Sequence, residues 1–382
     1  MTRPVVVLGA TGSIGRQSLE VASRLDIPVA GLAASRPSQE FVDLARQYPD
    51  AALAVAGGSS AELAEARDAL STRRIEAGSE TVSALAATAG ALVVNGIVGL
   101  AGLRPTLAAL TAGNRLALAN KESLVAAGDL VAAVRERSGA DLIPVDSEHS
   151  AIFQCLTGEP AGRLDRIWLT ASGGPFRETP LDELEGVTPQ QALRHPNWDM
   201  GPRITVDSAT LVNKGLEVIE THRLFGIAYD RISVLVHPQS VIHSMVEFSD
   251  GSVKAQLGPP DMRLPIEFAL TYPDRGERII DEFTWTGRSL TFEDPDPKRF
   301  PALGLAHESG RAGGSSPAVF NAADEIAVEA FLHGRLGFTG IARVIAETLA
   351  AITWRPLPDV EAVFEVDREA REAAAALIAG AC

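Results

Sequence analysis

Residues 5–15 read VVVLGATGSIG, and this stretch decides the fold class. The run Val5–Leu8 is apolar and of strand length, as in strands that are buried on both faces of a parallel sheet. Three glycines follow it, and a helical pattern over Ser18–Arg24 comes next. Glycines at such a turn let the backbone approach a pyrophosphate at the helix N-terminus, where free N–H groups and the helix dipole favour an anion. The stretch therefore predicts a dinucleotide-binding unit; a tight strand-to-helix turn without a ligand is the alternative.

The same alternation of apolar runs and helical patterns continues through the first part of the chain. The predicted elements are Val5–Leu8, Ser18–Arg24, Val29–Ala33, Gln39–Gln47, Ala51–Val55, Leu92–Val94, Arg115–Ala119 and Leu142–Val145. Such alternation is typical of a parallel sheet with helices on both faces. The predicted fold class is therefore α/β, with an N-terminal Rossmann-like parallel sheet, a central α+β domain and a C-terminal helical bundle.

The end of the second predicted strand indicates which dinucleotide is bound. Folds that bind NAD usually carry an Asp or Glu there to hydrogen-bond the ribose 2′-hydroxyl, whereas this chain has Ala34, Ser35 and Arg36. A hydroxyl followed by a guanidinium suits a 2′-phosphate, so NADPH is the expected cofactor. The alternative is that Arg36 is a solvated surface charge.

Two carboxylates, Asp146 and Glu148, follow the predicted strand Leu142–Val145. Ligands of open α/β sheets bind beyond the carboxyl ends of the strands, where the GATGSIG turn and the residues Asn120-Lys121-Glu122 should also lie. Two acids at this spacing repel each other unless a cation lies between them, and oxygen ligands are those that Mg²⁺ or Mn²⁺ prefers. A capping Asp beside a solvated Glu is the alternative.

A third acid stands in the stretch SATLVNKGLE, residues 208–217. On a helix, Asn213, Lys214 and Glu217 share one neighbourhood because they are three or four residues apart. Together with Ser208 they form a donor set for a phosphate and leave an acid for a metal; a solvated ion pair explains Lys214 and Glu217 equally well.

Two loops also carry polar or aromatic groups in positions that packing does not explain. The loop after the predicted strand Arg166–Thr170 offers the hydroxyl of Ser172 and glycine N–H groups, and a simple turn is its alternative interpretation. The stretch HPNWDMG, residues 195–201, sets Trp198 and Met200 between helix breakers, which is typical of a lid that closes over a substrate.

Composition excludes several classes of protein. A chain of 382 residues exceeds the roughly 250–300 residues of a single core, so two or three domains are expected. A net charge of −15 disfavours nucleic acid, and Cys155 and Cys382 alone cannot build a disulfide framework or a zinc–thiolate site. Because no apolar stretch approaches the ~20 residues of a membrane span and the N-terminus does not resemble a signal peptide, we expect a cytoplasmic protein. A small phosphorylated substrate is compatible with the acidic charge, provided that a few cationic or donor groups gather locally.

Changes in composition and periodicity along the chain predict four segments. After residue 146 the loops are longer and richer in Gly and Pro, residues 272–300 lack periodicity, and the remainder is Ala-rich and helical in period. Further strands are predicted at Arg166–Thr170, Ile232–His237, Ser240–Phe248 and Val253–Leu257. We expect an NADPH-binding domain over 1–146, a catalytic domain with metal site and lid over 147–271, a linker over 272–300 and an α-helical domain over 301–382.

The assembled motifs resemble one known family over nearly the whole chain, the 1-deoxy-D-xylulose 5-phosphate reductoisomerases. The motifs that carry this resemblance are GATGSIG, ALANKES, PVDSEHSAIFQ, TASGGPF, HPNWDMG, DSATLVNKGLEVIE, HPQSVIHSMVEF, GPPDMRLPIEFAL and FNAADEIAVEAFL. The resemblance implies a homodimeric, NADPH-dependent enzyme of the non-mevalonate isoprenoid route. In that family a divalent cation assists a skeletal rearrangement, and NADPH then reduces the resulting aldehyde to 2-C-methyl-D-erythritol 4-phosphate.

Position by position, the resemblance also implies the site residues. The implied metal ligands are Asp146, Glu148 and Glu217, and the implied catalytic residues are these three with Lys121 and His195. The implied substrate contacts are Lys121, Ser147, Glu148, Ser172, His195, Trp198, Met200, Ser208, Asn213, Lys214 and Glu217. The implied NADPH contacts are Thr11, Gly12, Ser13, Ile14, Ser35, Arg36, Asn120, Glu122 and Gly201. The chain departs from the family pattern at Pro37, where Asn is common, and at Asp199 and Pro202 beside Gly201.

Two other functions remain open at this point. A semialdehyde-type NADP dehydrogenase shares the GATG opening but needs an activated nucleophilic Cys, and Cys155 lies in the apolar run Ala151–Leu156. A protein that senses NADPH without catalysis is the other alternative, and it predicts no dependence on a metal.

Overall fold

The computed structural model describes residues 3–71, 73–160, 162–198 and 200–380, so Asp199 and Cys382 lie outside the described residues. The chain divides into two compact units. The first unit comprises Met1–Ser123, Val131–Ser150 and Asp261–Glu282, and the second comprises Leu124–Leu130, Ala151–Pro260 and Phe283–Cys382. The three boundaries between the four segments expected from the sequence stay a prediction. Across the described residues, no helix combines the length and the apolarity needed to cross a membrane.

Eleven strands and fifteen α-helices follow one another along the described residues. They are β1 (Val5–Leu8), α1 (Ser13–Arg24), β2 (Val29–Ala34), α2 (Gln39–Gln47), β3 (Ala52–Val55), α3 (Ser60–Ala69), β4 (Ile75–Ala77), α4 (Ser79–Ala86), β5 (Leu92–Asn95), α5 (Leu103–Thr111), β6 (Arg115–Leu118), α6 (Lys121–Ser138), β7 (Leu142–Pro144), α7 (Ser147–Leu156), β8 (Leu164–Ala171), α8 (Pro189–Ala192), α9 (Pro202–Thr210), α10 (Val212–Phe225), β9 (Ile232–Val236), β10 (Ile242–Phe248), β11 (Val253–Leu257), α11 (Arg263–Thr271), α12 (Pro301–Ala312), α13 (Ser316–Leu332), α14 (Gly340–Ala351) and α15 (Val360–Gly380). Short 3₁₀ helices occupy Leu100–Gly102, Leu181–Gly186 and Tyr229–Arg231.

The first unit contains a seven-stranded sheet in the order β4-β3-β2-β1-β5-β6-β7. All six strand pairs are parallel, which confirms the predicted Rossmann-like sheet. The central strand β1 is fully buried, as its unbroken apolar run predicts. The direction of winding changes beside β1, so the crevice between the turns after β1 and β5 is the position where such sheets bind ligands.

Close packing explains two of the three glycines after β1. Gly9 has φ +79°, and a Cβ there would lie 2.8 Å from the carbonyl oxygen of Gly96. At Gly15 a Cβ would lie 2.2 Å from the carbonyl oxygen of Gly9. Helix α1 therefore starts directly against the end of β1. It begins at Ser13, five residues earlier than predicted, and Gly12 at its N-cap provides no side chain to satisfy the first N–H groups.

The second unit combines a mixed sheet with packed helices. The sheet has the order β11-β10-β8-β9, in which β8 and β9 are parallel and the other pairs antiparallel. Helix α13 lies at the centre of the helical part, where it packs against α14, α15 and α9. Most of its residues are buried, including Phe320 and Phe331, so it is apolar on nearly every face. The predicted α+β region and C-terminal helical bundle are thus confirmed.

Candidate active site

Polar residues follow four strands of the first unit at one edge of the sheet. Because the sheet is parallel, the turns after β1, β2, β6 and β7 all lie at its carboxyl edge. These turns contain the GATGSIG loop, Ser35 with Arg36, Asn120 with Lys121, and Asp146. The prediction that the glycine, lysine and carboxylate clusters share one edge is therefore confirmed.

The glycine loop and the end of β2 present exposed polar groups beside each other. Gly12, Ser13, Ser35 and Arg36 are exposed, and β2 is the direct neighbour of β1. The guanidinium of Arg16 donates to the Thr11 carbonyl oxygen at 2.8 Å, which holds the loop in one conformation. This edge thus offers free helix N–H groups for a pyrophosphate, and a hydroxyl and a cation for a 2′-phosphate.

Asn120 and Glu122 are buried and bind the chain's own backbone. Asn120 Nδ2 donates to the carbonyl oxygens of Ile97 at 2.7 Å and Gly99 at 2.9 Å. Glu122 Oε1 accepts from the Gly99 N–H at 2.9 Å. Both side chains therefore fix the loop after β5, which faces the glycine loop across the crevice. Direct contact of either with NADPH stays a prediction.

Lys121 and Asp146 form a buried ion pair at the carboxyl edge. Lys121 Nζ lies 2.7 Å from Asp146 Oδ2, and His149 Nδ1 lies 3.4 Å from Asp146 Oδ1. Burial alone would raise the pKa of Asp146, but the Lys121 ammonium and His149 outweigh it and hold that pKa well below its usual range. Asp146 is therefore an anion at any physiological pH. His149 was not among the predicted site residues, although its position one helical turn after Asp146 is a signal that could have identified it.

Asp146 and Glu148 bring two carboxylates together at the start of α7. One oxygen of each lies within 4.8 Å of the other. Asp146 Oδ1 accepts the Glu148 N–H at 3.3 Å, and Ser147 Oγ donates to Glu148 Oε2 at 2.6 Å. The capping role of Asp146 is thus real, but both carboxylates remain only partly buried. A pair of partly buried, hydrogen-bonded carboxylates is the donor chemistry that suits a hard divalent cation.

In the second unit, His195 lies between two serine hydroxyls. Its Nε2 is 3.0 Å from Ser172 Oγ and 3.1 Å from Ser208 Oγ. Ser172 follows β8, His195 follows α8 and Ser208 is near the end of α9, so three separate segments contribute. Ser172 and Ser208 were predicted to act on one phosphate; their convergence on His195 was not foreseen.

A glycine after β8, Gly174, permits this convergence. Gly174 has φ +66°, and a Cβ there would lie 2.9 Å from both the Ala209 Cα and the Ser208 carbonyl oxygen. The loop can therefore lie directly on α9 only because residue 174 lacks a side chain. Gly174 N–H also donates to Ser172 Oγ at 3.2 Å and orients the hydroxyl.

Hydrogen bonds fix the tautomer of His195. Its Nδ1 accepts the N–H groups of Asn197 at 3.1 Å and Trp198 at 3.0 Å, so the proton of the neutral ring is on Nε2. Burial lowers the pKa of His195 to about 4. At neutral pH the ring is therefore an uncharged N–H donor that points toward the serines.

A kink between α9 and α10 places further donors in the second unit. Leu211 has φ +57° and separates the two helices, and Asn213 and Lys214 lie in the first turn of α10. Lys214 Nζ pairs with Glu217 Oε2, and Asn213 Nδ2 donates to Glu217 Oε1 at 2.5 Å. Glu217 is 1% exposed, so its carboxylate is stabilised by these two donors rather than by solvent. The predicted neighbourhood of the three side chains is confirmed, and the solvated ion pair is ruled out by the burial.

The predicted lid is anchored at one end. Asn197 Nδ2 donates to the Pro238 carbonyl oxygen at 2.7 Å and to Ser240 Oγ at 2.9 Å. The Trp198 ring lies edge-on to the buried His243, with 6.1 Å between the ring centres. Gly201 caps α9 without a side chain. Asn197 and His243 were not predicted from the sequence, since their role depends on the turn after β9.

Comparison with known proteins identifies the family. Profiles of 1-deoxy-D-xylulose 5-phosphate reductoisomerase match residues 5–128 and, for a C-terminal domain, residues 142–225; a second C-terminal profile of DXP reductoisomerase matches 257–373. The chain belongs to this family. It is 51% identical to the reductoisomerase of Heliobacterium modesticaldum over 380 residues, which cover 97% of the chain and 96% of the relative. Identity to the Ralstonia pickettii reductoisomerase is also 51%, over 395 residues that cover 99% of the chain and 98% of the relative.

Solved structures of reductoisomerases have the same fold. The Zymomonas mobilis enzyme in complex with NADPH matches with a TM-score of 0.92 and 45% identity, and 99% of each chain is covered. A DOX-P reductoisomerase in complex with NADPH, fosmidomycin and magnesium matches with a TM-score of 0.91 and 36% identity, and 98% of each chain is covered.

Family membership also decides against the semialdehyde-type dehydrogenase. Cys155, the free cysteine of the described residues, is buried. Burial raises the pKa of its thiol to about 11, so the thiol is protonated at neutral pH and is no activated nucleophile.

Proposed function

We propose that this reductoisomerase converts 1-deoxy-D-xylulose 5-phosphate to 2-C-methyl-D-erythritol 4-phosphate with the residues described above. The observation that carries this proposal is the full-length match, at 45% identity, to a reductoisomerase that binds NADPH. The reaction belongs to the non-mevalonate route to isoprenoid precursors. Its cofactors are NADPH and a divalent cation, Mg²⁺ or Mn²⁺.

NADPH is assigned to the carboxyl edge of the first unit. The assigned contacts are Thr11, Gly12, Ser13, Ile14, Ser35, Arg36, Asn120, Glu122 and, from the second unit, Gly201. The uncapped start of α1 supports the pyrophosphate position, and exposed Ser35 and Arg36 support a 2′-phosphate. When bound, NADPH supplies the hydride that reduces the aldehyde.

The metal is assigned to Asp146, Glu148 and Glu217. Three facts support this assignment: the acids supply only oxygen, Asp146 stays ionised, and the buried Glu217 is contacted by Lys214 and Asn213. When bound, the cation supplies Lewis-acid stabilisation of the charge that develops during the skeletal rearrangement.

The phosphate of the substrate is assigned to Ser172, Ser208, Asn213 and Lys214, with the Nε2 proton of His195 beside the two hydroxyls. Neutral donors around one ammonium bind a phosphate dianion without requiring a proton from the protein. The His195 ring orients Ser172 and Ser208, since its Nε2 lies within 3.1 Å of both. Trp198 and Met200 of the lid exclude water from the bound substrate.

Lys121 and Ser147 are assigned to the substrate's hydroxyl groups. The ammonium of Lys121 is held by Asp146 at 2.7 Å, so it can orient a substrate oxygen and hold a proton at Nζ while the skeleton rearranges. The pairing of Lys121 with Asp146 also keeps Lys121 at the carboxyl edge of the sheet, beside Asp146 and Glu148.

Domain roles and assembly complete the proposal. Residues 1–146 form the NADPH-binding domain, and residues 147–271 carry the metal site and the lid. Residues 272–300 are the linker to the C-terminal domain, whose helices, over 301–382, brace the catalytic domain. The protein is a cytoplasmic homodimer. The exposed edge strand β11 supports dimerisation, because Val253 is 50% and Leu257 39% exposed there and an unpaired apolar edge favours pairing with another copy.

The test of this function is NADPH oxidation with 1-deoxy-D-xylulose 5-phosphate, measured with and without EDTA. We expect EDTA to abolish turnover and excess Mg²⁺ or Mn²⁺ to restore it. Glu217→Gln should lower kcat by about a hundredfold or more, because a neutral amide is a poor ligand for a hard cation. Glu136→Gln, at an exposed position of α6, is the matched control and should retain wild-type activity. Undiminished turnover in EDTA would remove the metal from the mechanism.

A further inference from the structure

A cluster of charged residues connects α9, α13 and α15 of the second unit. It contains Arg203 and Asp207 on α9, Asp324 and Glu325 on α13, and Arg371 on α15. None of the five has a part in the binding of NADPH, metal or substrate proposed above. Asp207 and Asp324 are buried, where a charge must be compensated, and the other three side chains are partly exposed.

Glu325 takes the strong partners of this cluster. Its Oε1 accepts from Arg203 Nη1 at 2.9 Å and its Oε2 accepts from Arg371 Nη2 at 2.5 Å. Arg371 also binds Asp367 on its own helix through Nε at 2.7 Å. Arg371 is therefore committed to acids other than Asp324, and Arg203 makes its shortest ion pair with Glu325.

Asp324 lacks comparable compensation. Its side chain is 0% exposed, and within the described part of the chain neither of its oxygens receives a hydrogen bond from an N–H or hydroxyl group. Arg203 Nη2 approaches Oδ2 only to 3.6 Å and donates instead to Asn321 Oδ1 at 3.3 Å. The remaining neighbour is the carboxyl group of Asp207 on α9, and Arg203 lies beside both acids, 3.7 Å from Asp207 Oδ2 and 3.6 Å from Asp324 Oδ2.

Two carboxyl groups can share a hydrogen bond only when one of them carries a proton. The charged groups that act on Asp324 are Asp207 and Arg203 from α9 and Glu325 from its own helix. Burial, followed by the charge of Asp207, holds the pKa of Asp324 well above its usual range, while Arg203 acts in the opposite direction. Arg203 does not distinguish the two acids by distance, but Asp324 is the one with 0% exposure and with no donor to either oxygen among the described residues, so the proton belongs on Asp324 and the charge on Asp207.

The pair has a position that matters for the substrate. Asp207 directly precedes Ser208, and α9 begins next to the lid residue Gly201. Helix α9 packs on α13, so the Asp207–Asp324 contact is where the helix that presents Ser208 meets the most buried helix of the unit.

We propose that Asp324 remains protonated and donates its proton to Asp207, and that this acid pair is a positioning device that holds α9, and with it Ser208, in place for the substrate phosphate. Asp324 is thus a positioning residue and not a catalytic one. The link to phosphate rests on the proposed role of Ser208, whereas the proton on Asp324 does not.

Thermal unfolding of the full chain as a function of pH tests whether Asp324 keeps its proton in the folded state. Below the ordinary pKa of Asp, residue 324 is protonated in both the folded and the unfolded state. As the pH rises above it, the unfolded state releases the proton and the folded state keeps it, so wild-type stability falls. Asp324→Asn cannot ionise, and its amide donates to Asp207 as the acid does. Its Tm should therefore exceed that of wild type by roughly 2–4 °C at pH 8, and the difference should shrink toward pH 4.

If Asp324 is instead ionised and paired with Arg203, the difference in Tm between Asp324→Asn and wild type should have the opposite sign. In that case Asp324→Asn would lower the Tm at pH 8, and the loss would diminish in acid. That result would overturn the proposal whatever reaction the protein catalyses.

Steady-state kinetics of the enzyme with NADPH and a divalent cation test whether the acid pair positions Ser208. Asp324→Asn should keep KM and kcat within about twofold at pH 7.5, because the donated hydrogen bond is conserved. Asp324→Leu, which has the same side-chain branching and no donor, should raise KM for 1-deoxy-D-xylulose 5-phosphate about tenfold with kcat nearly unchanged. Val328→Ala, a cavity variant one turn further along α13, is the matched control for destabilisation alone and should lower Tm without raising KM.

Two kinetic outcomes would contradict the positioning role. One is a Leu variant that loses stability as the Ala control does but keeps its KM. The other is an Asn variant that raises KM as much as the Leu variant, since the proton would then not be what matters. If the Tm results hold and KM does not respond, the acid pair exists and the assignment of Ser208 to the phosphate is the part that fails.

Discussion

At the scale of single residues, burial keeps His195 neutral beside the two serines that we propose bind the substrate phosphate. His195 has its Nδ1 occupied by two backbone N–H groups and its Nε2 between two hydroxyls. A charged imidazolium would bind phosphate more strongly but would titrate with pH. A neutral ring with a fixed tautomer presents the same N–H throughout the physiological range.

Substitution of His195 tests this arrangement. His195→Ala removes a donor near a dianion, a loss of about 1.5–3 kcal/mol, so kcat/KM should fall roughly 10- to 150-fold. His195→Gln retains an N–H group and should lose less. His333→Gln, at an exposed histidine, should leave kcat/KM unchanged.

The pH dependence of stability provides a second measurement on the same residue. The folded pKa of His195, about 4, lies below the ordinary value of 6.5, so the unfolded state binds the proton more readily between these values. Wild-type Tm should therefore fall relative to that of His195→Gln as the pH is lowered from 6.5 to 4, and the two should run parallel above pH 7. If the Tm values of wild type and His195→Gln changed in parallel down to pH 4, the ring would not be buried as described.

At the scale of secondary structure, the sequence predicts the strands better than the site. The predicted strands end within two residues of the observed ones because apolar runs of strand length are visible in one dimension. The start of α1 was five residues off, since glycines at 12 and 15 lower helix propensity while serving the turn. The three-residue strand β4 contains Glu76 and has no such signal.

Side-chain partners from distant segments are what the sequence does not reveal. The Lys214–Glu217 pair was predictable because both residues lie on one helix. The convergence of Ser172 and Ser208 on His195 depends on three separate loops and helices. Asp324 stands in an apolar run that reads as core, and its acid partner Asp207 is more than a hundred residues away.

Gly174 tests how one element positions another. Gly174→Ala adds a Cβ 2.9 Å from the backbone of α9 at φ +66°, which should cost about 1–3 kcal/mol in unfolding free energy and displace the Ser172 loop. We expect KM to rise about tenfold or more, together with a lower Tm. Gly186→Ala, where a Cβ meets nothing within 4 Å, is the matched control. Equal behaviour of the two variants would show that the loop tolerates displacement.

At the scale of the whole molecule, the net charge and the substrate have the same sign. A protein of net charge −15 repels a phosphorylated sugar at long range, so affinity must come from groups gathered locally. Lys121 and Lys214 are both buried and paired with acids, and Arg36 is exposed at the end of β2. The acidic surface therefore favours a small substrate over a polyanion, which needs an extended basic face.

Assembly of two copies is the remaining property of the whole molecule that the described residues bear on. Strand β11 leaves one edge of its sheet unpaired, and a symmetric dimer would satisfy that edge by pairing it with the same strand of a second copy. The double change Val253→Lys and Leu257→Lys places two like charges on the edge, so, if the proposed dimer forms there, light scattering should find a dimer for the wild type and a monomer for the double variant. Leu181→Lys, at another exposed apolar residue of the same unit, should remain dimeric. A double variant that still dimerises would exclude the β11 edge as the interface, and a monomeric wild type would exclude the dimer itself.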